Sequence, residues 1–382
     1  MLNSGFDSAD SGEMKTNDKP SGSAVSLVAL GDLMITADHD DPGLDPAAQL
    51  SALRARIDDA DVVFANLEST TFGTTGFIAK EPRLVATPEM LEKCLLALRP
   101  SVVSLANNHA FDCNETGYHN VRGILDRLGI AYFGAGDGRE EAGASLITTV
   151  RGRRLGWLGY VAIDTTPSHV AGAGSGVNPF ETDRAVADVA ELRSHVDDVI
   201  VSVHWGAEYC HLPSPSQIDA ARRIIDAGAS ALLGHHAHVV QAVEQRPNAV
   251  IAYNLGNAIT TDLRIGNRLA IKQSRRTKSS AAVRIELGPQ GPRVKEVTPY
   301  RLLPADVSWR DSYASKMCAR ANRALAGGVS TRRWRWHRTF EDLVLRPLWK
   351  LDPRVVRSIR PEHFGRLAQA IGTHVFPRRS QS

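Results

Sequence analysis

Short apolar runs alternate with longer amphipathic stretches through the first 300 residues of this sequence. The runs are rich in Val, Leu and Ile, and they read AVSLVALGD, DVVFANLE, SVVSLANNH, DVIVSVHWG, ASALLGHH and AVIAYNLGN. Each is short enough to be a strand, and its nearly continuous apolarity indicates burial on both faces. The pattern therefore predicts strands in the interior of a mixed sheet.

Three stretches between these runs are predicted to be helices. TPEMLEKCLLALR begins with Thr-Pro, NETGYHNVRGILDRLG ends at a glycine, and ETDRAVADVAELRSHV carries an apolar stripe with helical spacing. Two more stretches are predicted to be β-hairpins, LITTVRGRRLGWLGYVA around Gly152 and SSAAVRIELGPQGPRVKEVTPYRLL turning at Pro289 to Pro292. Strands, helices and hairpins in this order predict an α/β layered fold, with mixed sheets flanked by helices.

The composition is that of an ordinary soluble globular protein, with 43% hydrophobic and 23% charged residues in a chain of 382. The first 24 residues are polar, acidic and rich in Ser and Gly, so we expect a disordered leader rather than a secretory signal. The cysteines are scattered, which is typical of reduced thiols; they are Cys94, Cys113, Cys210 and Cys318. We therefore expect a cytoplasmic protein without a transmembrane segment, either free or peripheral at the inner face of the membrane.

Charge is distributed unevenly along the chain. Residues 301–382 contain 17 Lys and Arg against 6 Asp and Glu, although the whole chain has a net charge of only +3. This asymmetry predicts a main domain over residues 25–300 and a basic extension over 301–382. The extension interleaves Arg with Trp334, Trp336, Phe340 and Trp349. Such a segment either binds an anionic membrane surface or forms an extra helical layer packed on the core.

Polar side chains cluster just past the ends of the predicted strands. They are Asp32; Asn66 and Glu68; Asn107, Asn108 and His109; His204; and His235, His236 and His238. In open α/β sheets the loops that leave the carboxyl ends of the strands converge, and ligands bind there. We therefore expect these side chains to meet at one rim of the sheet.

Imidazole, carboxylate and amide oxygen together form a ligand set for Zn, Mn or Fe. In an extended segment His236 and His238 would face the same side and could reach one ion. Each cluster also has a simpler interpretation, because Gly31-Asp32 can be a turn, the Asn pair a helix cap, and the three histidines a surface loop. The clusters indicate a metal site only because they occur together in one chain.

Taken in order, the motifs GDLM, ANLES, LANNHAFD, HWGAEY, LLGHHAHVVQ and YNLGN resemble those of the CapA-type poly-γ-glutamate capsule synthesis proteins, over roughly residues 25–270. That family has a fold similar to the calcineurin-like metallophosphatases. The resemblance implies a role in the biosynthesis of poly-γ-glutamate or a related cell-envelope polymer. It also implies a divalent metal, Mn, Fe or Zn, at one or two sites.

The resemblance also assigns roles to individual residues. It implies the metal ligands Asp32, Glu68, Asn108, His204, His236 and His238. His109 resembles the catalytic acid, and we expect Asp112 to orient its imidazole. Residues expected to support the ligands are Asn66, Asn107, Glu208 and His235.

Two positions depart from the wider metallophosphatase pattern. Met34 stands where that pattern has a histidine, and Glu68 stands where it has an aspartate that bridges two metals. Both departures are typical of the CapA-type pattern, and they favour one firmly bound metal with a second bound weakly or not at all. A metal lowers the pKa of bound water and polarises a phosphoryl or amide oxygen. Phosphate esters, acyl phosphates and γ-glutamyl amides all remain candidate substrates.

The segment RIGNRLAIKQSRRTKSS carries six basic residues and no acidic one. It is either a solvated loop or a track for an anionic polymer such as poly-γ-glutamate, bound through Arg264, Arg268, Arg275 and Arg276. No nucleic-acid-binding module accompanies it, so we expect no nucleic-acid partner. Two alternative functions stay open: a general metallophosphoesterase on a small phosphorylated substrate, and a non-enzymatic polymer-binding accessory of a membrane synthase.

Overall fold

The structure is a computed structural model that describes residues 23–37, 43–74, 76, 78, 80–265 and 268–345. The predicted leader lies outside the described residues up to position 22, and so does the predicted tail from position 346, including Trp349. Of Arg268, Val344 and Leu345 the structure describes the backbone alone.

The strands of the described chain are β1 (Val25–Leu33), β2 (Val62–Asn66), β3 (Thr70–Thr71), β4 (Val85–Ala86), β5 (Val102–Ser104), β6 (Ala131–Phe133), β7 (Ala135–Gly136), β8 (Leu146–Val150), β9 (Arg153–Val161), β10 (Gly176–Val177), β11 (Asp198–His204), β12 (Ala231–His235), β13 (Val243–Arg246), β14 (Ala249–Ala252), β15 (Asn257–Ile259), β16 (Leu263–Ile265), β17 (Arg268–Ile271), β18 (Ser279–Leu287), β19 (Arg293–Leu302) and β20 (Val307–Trp309). The α-helices are α1 (Pro46–Arg56), α2 (Pro88–Leu98), α3 (Asn114–Leu128), α4 (Arg139–Gly143), α5 (Thr182–Arg193), α6 (Pro215–Asp226), α7 (Arg275–Lys278), α8 (Ser312–Ala326) and α9 (Thr331–Phe340). A 3₁₀ turn covers Ile163–Thr165, and a π-helical turn covers Glu341–Leu345.

The strands form two large mixed sheets. The first has the order β20-β19-β18-β1-β2-β5-β6, with β15 also pairing with β1. Its β1, β2, β5 and β6 are parallel, whereas β18, β19 and β20 add antiparallel pairs. The second has the order β13-β14-β12-β11-β9-β8, with β9, β11, β12 and β14 parallel. The α/β layered fold with mixed sheets flanked by helices is confirmed.

The two sheets pack face to face, with helices on both outer faces. Leu27 and Ala29 of β1 lie in the core between the sheets, together with Trp157 and Ile200 of the second sheet. The alternate residue Val28 faces the outer layer of α1, α2 and α3. On the far side, α5, α6 and α8 cover the second sheet. Central strands are thus buried on both faces, which explains why their sequences are apolar without alternation.

The local sequence signals occur at the ends of their elements. The Thr87 hydroxyl accepts a hydrogen bond from the Met90 backbone N–H at the start of α2. Gly129 ends α3 with a left-handed φ of 66°. Strands β8 and β9 form the predicted hairpin around Gly152, and β18 and β19 form the one that turns at Pro289 to Pro292. These element predictions are confirmed.

The boundary predicted at residue 300 falls inside a strand. β19 continues to Leu302, and β20 extends the same sheet. Helix α8 then packs on the second sheet through Ala321 and Leu325, as expected for an extra helical layer. In the part of the chain that the structure describes, no helix is both long enough and apolar enough to cross a membrane.

Gly234 offers a test of the packing beside the site. A Cβ at this position in β12 would lie 1.9 Å from the Tyr253 carbonyl oxygen, so the backbone would have to move. We expect Gly234→Ala to lower the free energy of unfolding by about 3 kcal/mol, measured by urea denaturation. Gly172→Ala is the control, because a Cβ there meets nothing within 4 Å. Equal stability of the two variants would contradict this account of the close strand approach.

Candidate metal centre

Strand register brings the predicted side chains to one edge of the two sheets. Asp32 of β1 pairs with Asn66 of β2 on one side and with Asn257 of β15 on the other. In the second sheet His204, the last residue of β11, pairs with His235, the last residue of β12. Because these parallel strands end at a common edge, the rim expected from the sequence is present.

Asp32 joins the two sheets at this edge. Asn66 Nδ2 and His235 Nδ1 donate to its Oδ1 at 2.9 and 3.0 Å, and the His236 backbone N–H donates to its Oδ2 at 3.2 Å. Burial alone would raise the pKa of Asp32, but hydrogen bonds from His235 and His238 outweigh it and hold that pKa well below its usual range. The carboxylate is thus kept ionised inside the protein.

The histidine pair after β12 is not extended, so the expectation of two imidazoles on one side of a strand was wrong. His236 and His238 have left-handed φ angles of 87° and 55°. Their side chains therefore diverge from the alternation of a strand, and each joins a different group of ligand-type atoms. A left-handed backbone is unfavourable for residues other than glycine. Here it is stabilised by a hydrogen bond from the His236 N–H to Asp32.

Glu68 is shared between these two groups. Its side chain is wholly buried, and neither carboxylate oxygen accepts a hydrogen bond from any described residue. Burial, followed by the charge of Asp32, raises the pKa of Glu68 well above its usual range. Ionising a buried carboxyl group that has no donors is costly unless a cation lies against it.

The first group surrounds His204. Its Nε2 lies 2.9 Å from Asn108 Oδ1, 3.1 Å from His236 Nδ1 and 3.5 Å from Glu68 Oε1. Burial lowers the pKa of His204 well below its usual range and lowers the pKa of His236 to about 3. Both imidazoles are therefore neutral, which is the form that binds metals.

The second group contains Asp32, Glu68 and His238. His238 Nδ1 lies 3.4 Å from Asp32 Oδ2, 3.9 Å from Glu68 Oε2 and 3.0 Å from Asn257 Oδ1. Burial would lower the pKa of His238, but the charges of Glu68 and Asp32 outweigh it and raise that pKa to about 10. A proton on His238 thus balances the carboxylates where a cation would otherwise do so.

Each group fits a divalent metal by its donor set. The first offers a carboxylate, two imidazoles and an amide oxygen, and the second offers two carboxylates and an imidazole. These are ligands for Zn, Mn or Fe. The clearest sign of a cation site is Glu68, because it belongs to both groups and neither of its carboxylate oxygens has a hydrogen-bond donor among the described residues.

Beside the two groups, His109 is held in a fixed orientation. Its Nδ1 lies 2.6 Å from Asp112 Oδ2, and that oxygen also accepts the Leu84 backbone N–H at 2.8 Å. The His109 backbone N–H donates to Asn107 Oδ1 at 3.0 Å, and the opposite ring nitrogen lies 4.0 Å from Glu68 Oε1. The imidazole is therefore held with its Nε2 towards Glu68.

A cavity of about 920 Å³ opens over this centre. Asn108, His109, His236 and His238 line it, and so do Glu208 and Met34. The Met34 sulfur accepts a hydrogen bond from the Thr260 hydroxyl at 3.6 Å.

Sequence reasoning missed two polar residues of the site. Asn257 contacts His238, and it stands in the YNLGN motif, at the start of β15 beside Asp32. Lys80 lines the cavity, and its Nζ donates to the Asn108 carbonyl oxygen at 2.8 Å. Burial lowers the pKa of Lys80. The position of Asn257 after an apolar run could have indicated it, whereas a lysine in a loop gives no comparable signal.

The basic segment contains a hairpin and a short helix, and one of the four residues predicted to contact polymer lies in the interior. Arg276 is buried and donates to Glu341 Oε2 at 2.7 Å and to the Tyr209 carbonyl oxygen at 3.0 Å. Its positive charge is therefore paired with Glu341 inside the protein. Arg275 is half exposed and pairs with Asp311. Arg264 lies in β16, and the side chain of Arg268 is outside the described residues.

Comparison with known proteins identifies the family. Residues 26–262, more than half of the chain, match the family described as bacterial capsule synthesis protein PGA_cap. The chain belongs to this family. The match ends before α8 and α9, so the PGA_cap region contains both groups of ligand-type residues but not the C-terminal helices.

Curated relatives agree with this assignment. The chain is 30% identical over 245 residues to the PGA biosynthesis protein CapA of Bacillus subtilis, covering 63% of this chain and 61% of the relative. It is 30% identical over 211 residues to the capsule biosynthesis protein CapA of Bacillus anthracis, covering 53% and 48%. A probable polyglutamine synthesis accessory protein of Mycobacterium tuberculosis matches at 30% over 210 residues, covering 52% and 55%. The chain thus spans about half to three fifths of the length of these relatives.

Solved structures give more distant likenesses. A hypothetical protein from Thermus thermophilus has a TM-score of 0.45 at 18% identity, covering 74% of this chain and 99% of that one. A 5'-nucleotidase precursor from the same organism has a TM-score of 0.44 at 13% identity, covering 80% and 59%.

The shared carboxylate predicts a pattern of metal content. We expect His236→Ala and His238→Ala each to lose metal from one group, and the isosteric Glu68→Gln to lose it from both. Elemental analysis after incubation with Mn, Fe or Zn measures the metal per chain. His195→Ala is the control, because His195 is exposed and outside both groups. Full metal content in Glu68→Gln would contradict the shared role.

Proposed function

We propose that this PGA_cap protein is a metal-dependent hydrolase that acts in the biosynthesis of poly-γ-glutamate or a related cell-envelope polymer. The biological role is supported by the family and by the names of the curated relatives. The chemistry is supported by one observation above all, the wholly buried Glu68 whose two donorless oxygens belong to two groups of ligand-type atoms. A cation bound between the two groups would compensate for the burial of this carboxyl group.

In this proposal Glu68, Asn108, His204 and His236 would hold one ion, and Asp32, Glu68 and His238 would hold a second. A bound metal would supply an activated water and polarise the oxygen of a phosphoryl or amide group. Asp32 stays ionised because hydrogen bonds from both sheets stabilise its charge. His235 and Asn66 keep that carboxylate in place, so they support the centre without needing to contact an ion.

His109 is the proton donor in this proposal. Its Nδ1 is committed to Asp112, so Nε2 is the nitrogen that can protonate a leaving group. Asp112, itself held by the bond from the Leu84 N–H, fixes the orientation of the ring. The leaving group would be the oxygen of a phosphate ester or acyl phosphate, or the nitrogen of a γ-glutamyl amide.

A non-enzymatic accessory role is the second candidate. The Mycobacterium tuberculosis relative carries the words "accessory protein" in its name. In that role the chain would hold polymer at the exposed Arg275 and at Arg264, with a membrane surface or synthase subunits bound by the C-terminal extension. Binding of poly-γ-glutamate that survives the loss of His236 and His238, and that weakens as salt rises, would favour it.

Substitution of His109 distinguishes the hydrolase role from the accessory role. We expect His109→Ala to lower turnover by roughly 10²- to 10⁴-fold while metal content stays at the wild-type level, because the proton donor is lost and the ligands remain. p-Nitrophenyl phosphate and γ-glutamyl-p-nitroanilide are the probes, and His195→Ala is the control. Turnover by His109→Ala equal to that of the wild type would reject the catalytic assignment. Full metal content with no turnover of either probe by any variant would favour the accessory role.

A further inference from the structure

Helix α9 forms one wall of the cavity over the metal centre. Thr331, Trp334, Arg335 and Arg338 line the same cavity as His109 and His238. The helix follows the PGA_cap region by almost 70 residues of chain, since that region ends at residue 262. The cavity therefore has a floor made by the family region and a wall made by the C-terminal extension.

The wall is attached to the centre by a continuous set of contacts. Glu341, just after α9, pairs with the buried Arg276, which also donates to the Tyr209 carbonyl oxygen. The Tyr209 backbone N–H in turn donates at 2.7 Å to the carbonyl oxygen of Ala237, the residue between the two ligand-type histidines. Trp334 is fixed separately, because its indole N–H donates to the Leu212 carbonyl oxygen at 3.2 Å. The helix is thus held in place beside the site.

Arg335 is the cation of this wall that remains available to a ligand. Arg338 pairs with Asp342 at 2.6 Å, whereas Arg335 forms no ion pair among the residues described here. On the floor Lys80 adds a second positive charge, and the acidic Glu81 is already paired with Arg83. Asp164 and Glu208 also line the cavity. The negative charge of Glu208 partly opposes the lowering of the His236 pKa by burial.

The cavity is large for a small anion. Its volume of about 920 Å³ is at the upper end of sites for drug-sized ligands, which are roughly 300–1,000 Å³. A cavity of this volume has room for more than a single phosphate group or amino acid. A ligand that contacts both floor and wall must be extended, with one reacting group at the centre and a further negative charge near Arg335.

We propose that Trp334 and Arg335 are specificity-determining residues that select an extended anionic oligomer as the substrate of this site. The proposal rests on the proposed function for the identity of the reacting group. Arg335 binds a carboxylate or phosphate several bonds away from the reacting group, and the face of Trp334 packs against the stem between them. The C-terminal extension is then part of the active site, and it selects substrates long enough to reach Arg335.

Direct binding of a short poly-γ-glutamate oligomer tests this. We expect Arg335→Gln to weaken oligomer binding by about tenfold in isothermal titration calorimetry at fixed metal content. Arg333→Gln is the matched control, because Arg333 lies on the same helix, carries the same charge and does not line the cavity. Inorganic phosphate, the small-anion probe, should bind Arg335→Gln and wild type alike.

Trp334→Leu and Trp336→Leu provide a second matched pair. Both residues lie on α9, but only Trp334 lines the cavity, so only its loss should weaken oligomer binding. Equal effects of Arg335→Gln and Arg333→Gln would mean unspecific attraction and would overturn the proposal, as would an oligomer that does not bind the wild type. Because metal content is measured on each variant, a failure of the metal centre itself is recognised separately.

Discussion

The hydrogen bonds of Asp32 hold the whole site together, because they connect the two sheets at the edge where the strands end. The carboxylate lies in the first sheet, and it accepts from Asn66 of that sheet and from His235 and His236 of the second. Three donors compensate for the burial of one charge, so its position is fixed more rigidly than side-chain packing alone could fix it. Asp32 belongs to one of the two groups of ligand-type atoms, so these hydrogen bonds also fix one member of that group.

Glu68 lies at the opposite extreme, since it is equally buried and has no donors. The contrast between two neighbouring carboxylates, one with its pKa lowered and the other with its pKa raised, is characteristic of functional sites. A structural ion pair such as Arg153 with Asp198 satisfies both partners instead, at 2.7 Å. Glu68, in contrast, has no such partner among the described residues. A bound metal would supply the positive charge that is missing beside it.

Much of the fold could be predicted because its signals are local. Continuous apolar runs became the central strands, and the polar residues that follow them met at one rim, since parallel strands of both sheets end there. The division of the histidine pair could not be predicted, because the left-handed φ of His236 and His238 is imposed by contacts with distant residues. The buried role of Arg276 and the cavity position of Trp334 depend on partners far along the chain, Glu341 and Leu212, which no local pattern reveals.

The hydrogen bonds of Asp32 also mean that the site forms only when both sheets are folded. His235 is 203 residues away from Asp32, so no fragment that lacks either sheet contains the centre. An ion that needs both sheets binds the native chain and not the unfolded one, and by mass action it adds its binding free energy to the stability of the fold. If such an ion is bound, metal supply and the amount of folded protein are linked, and a cell that limits the metal would lower the amount of folded protein.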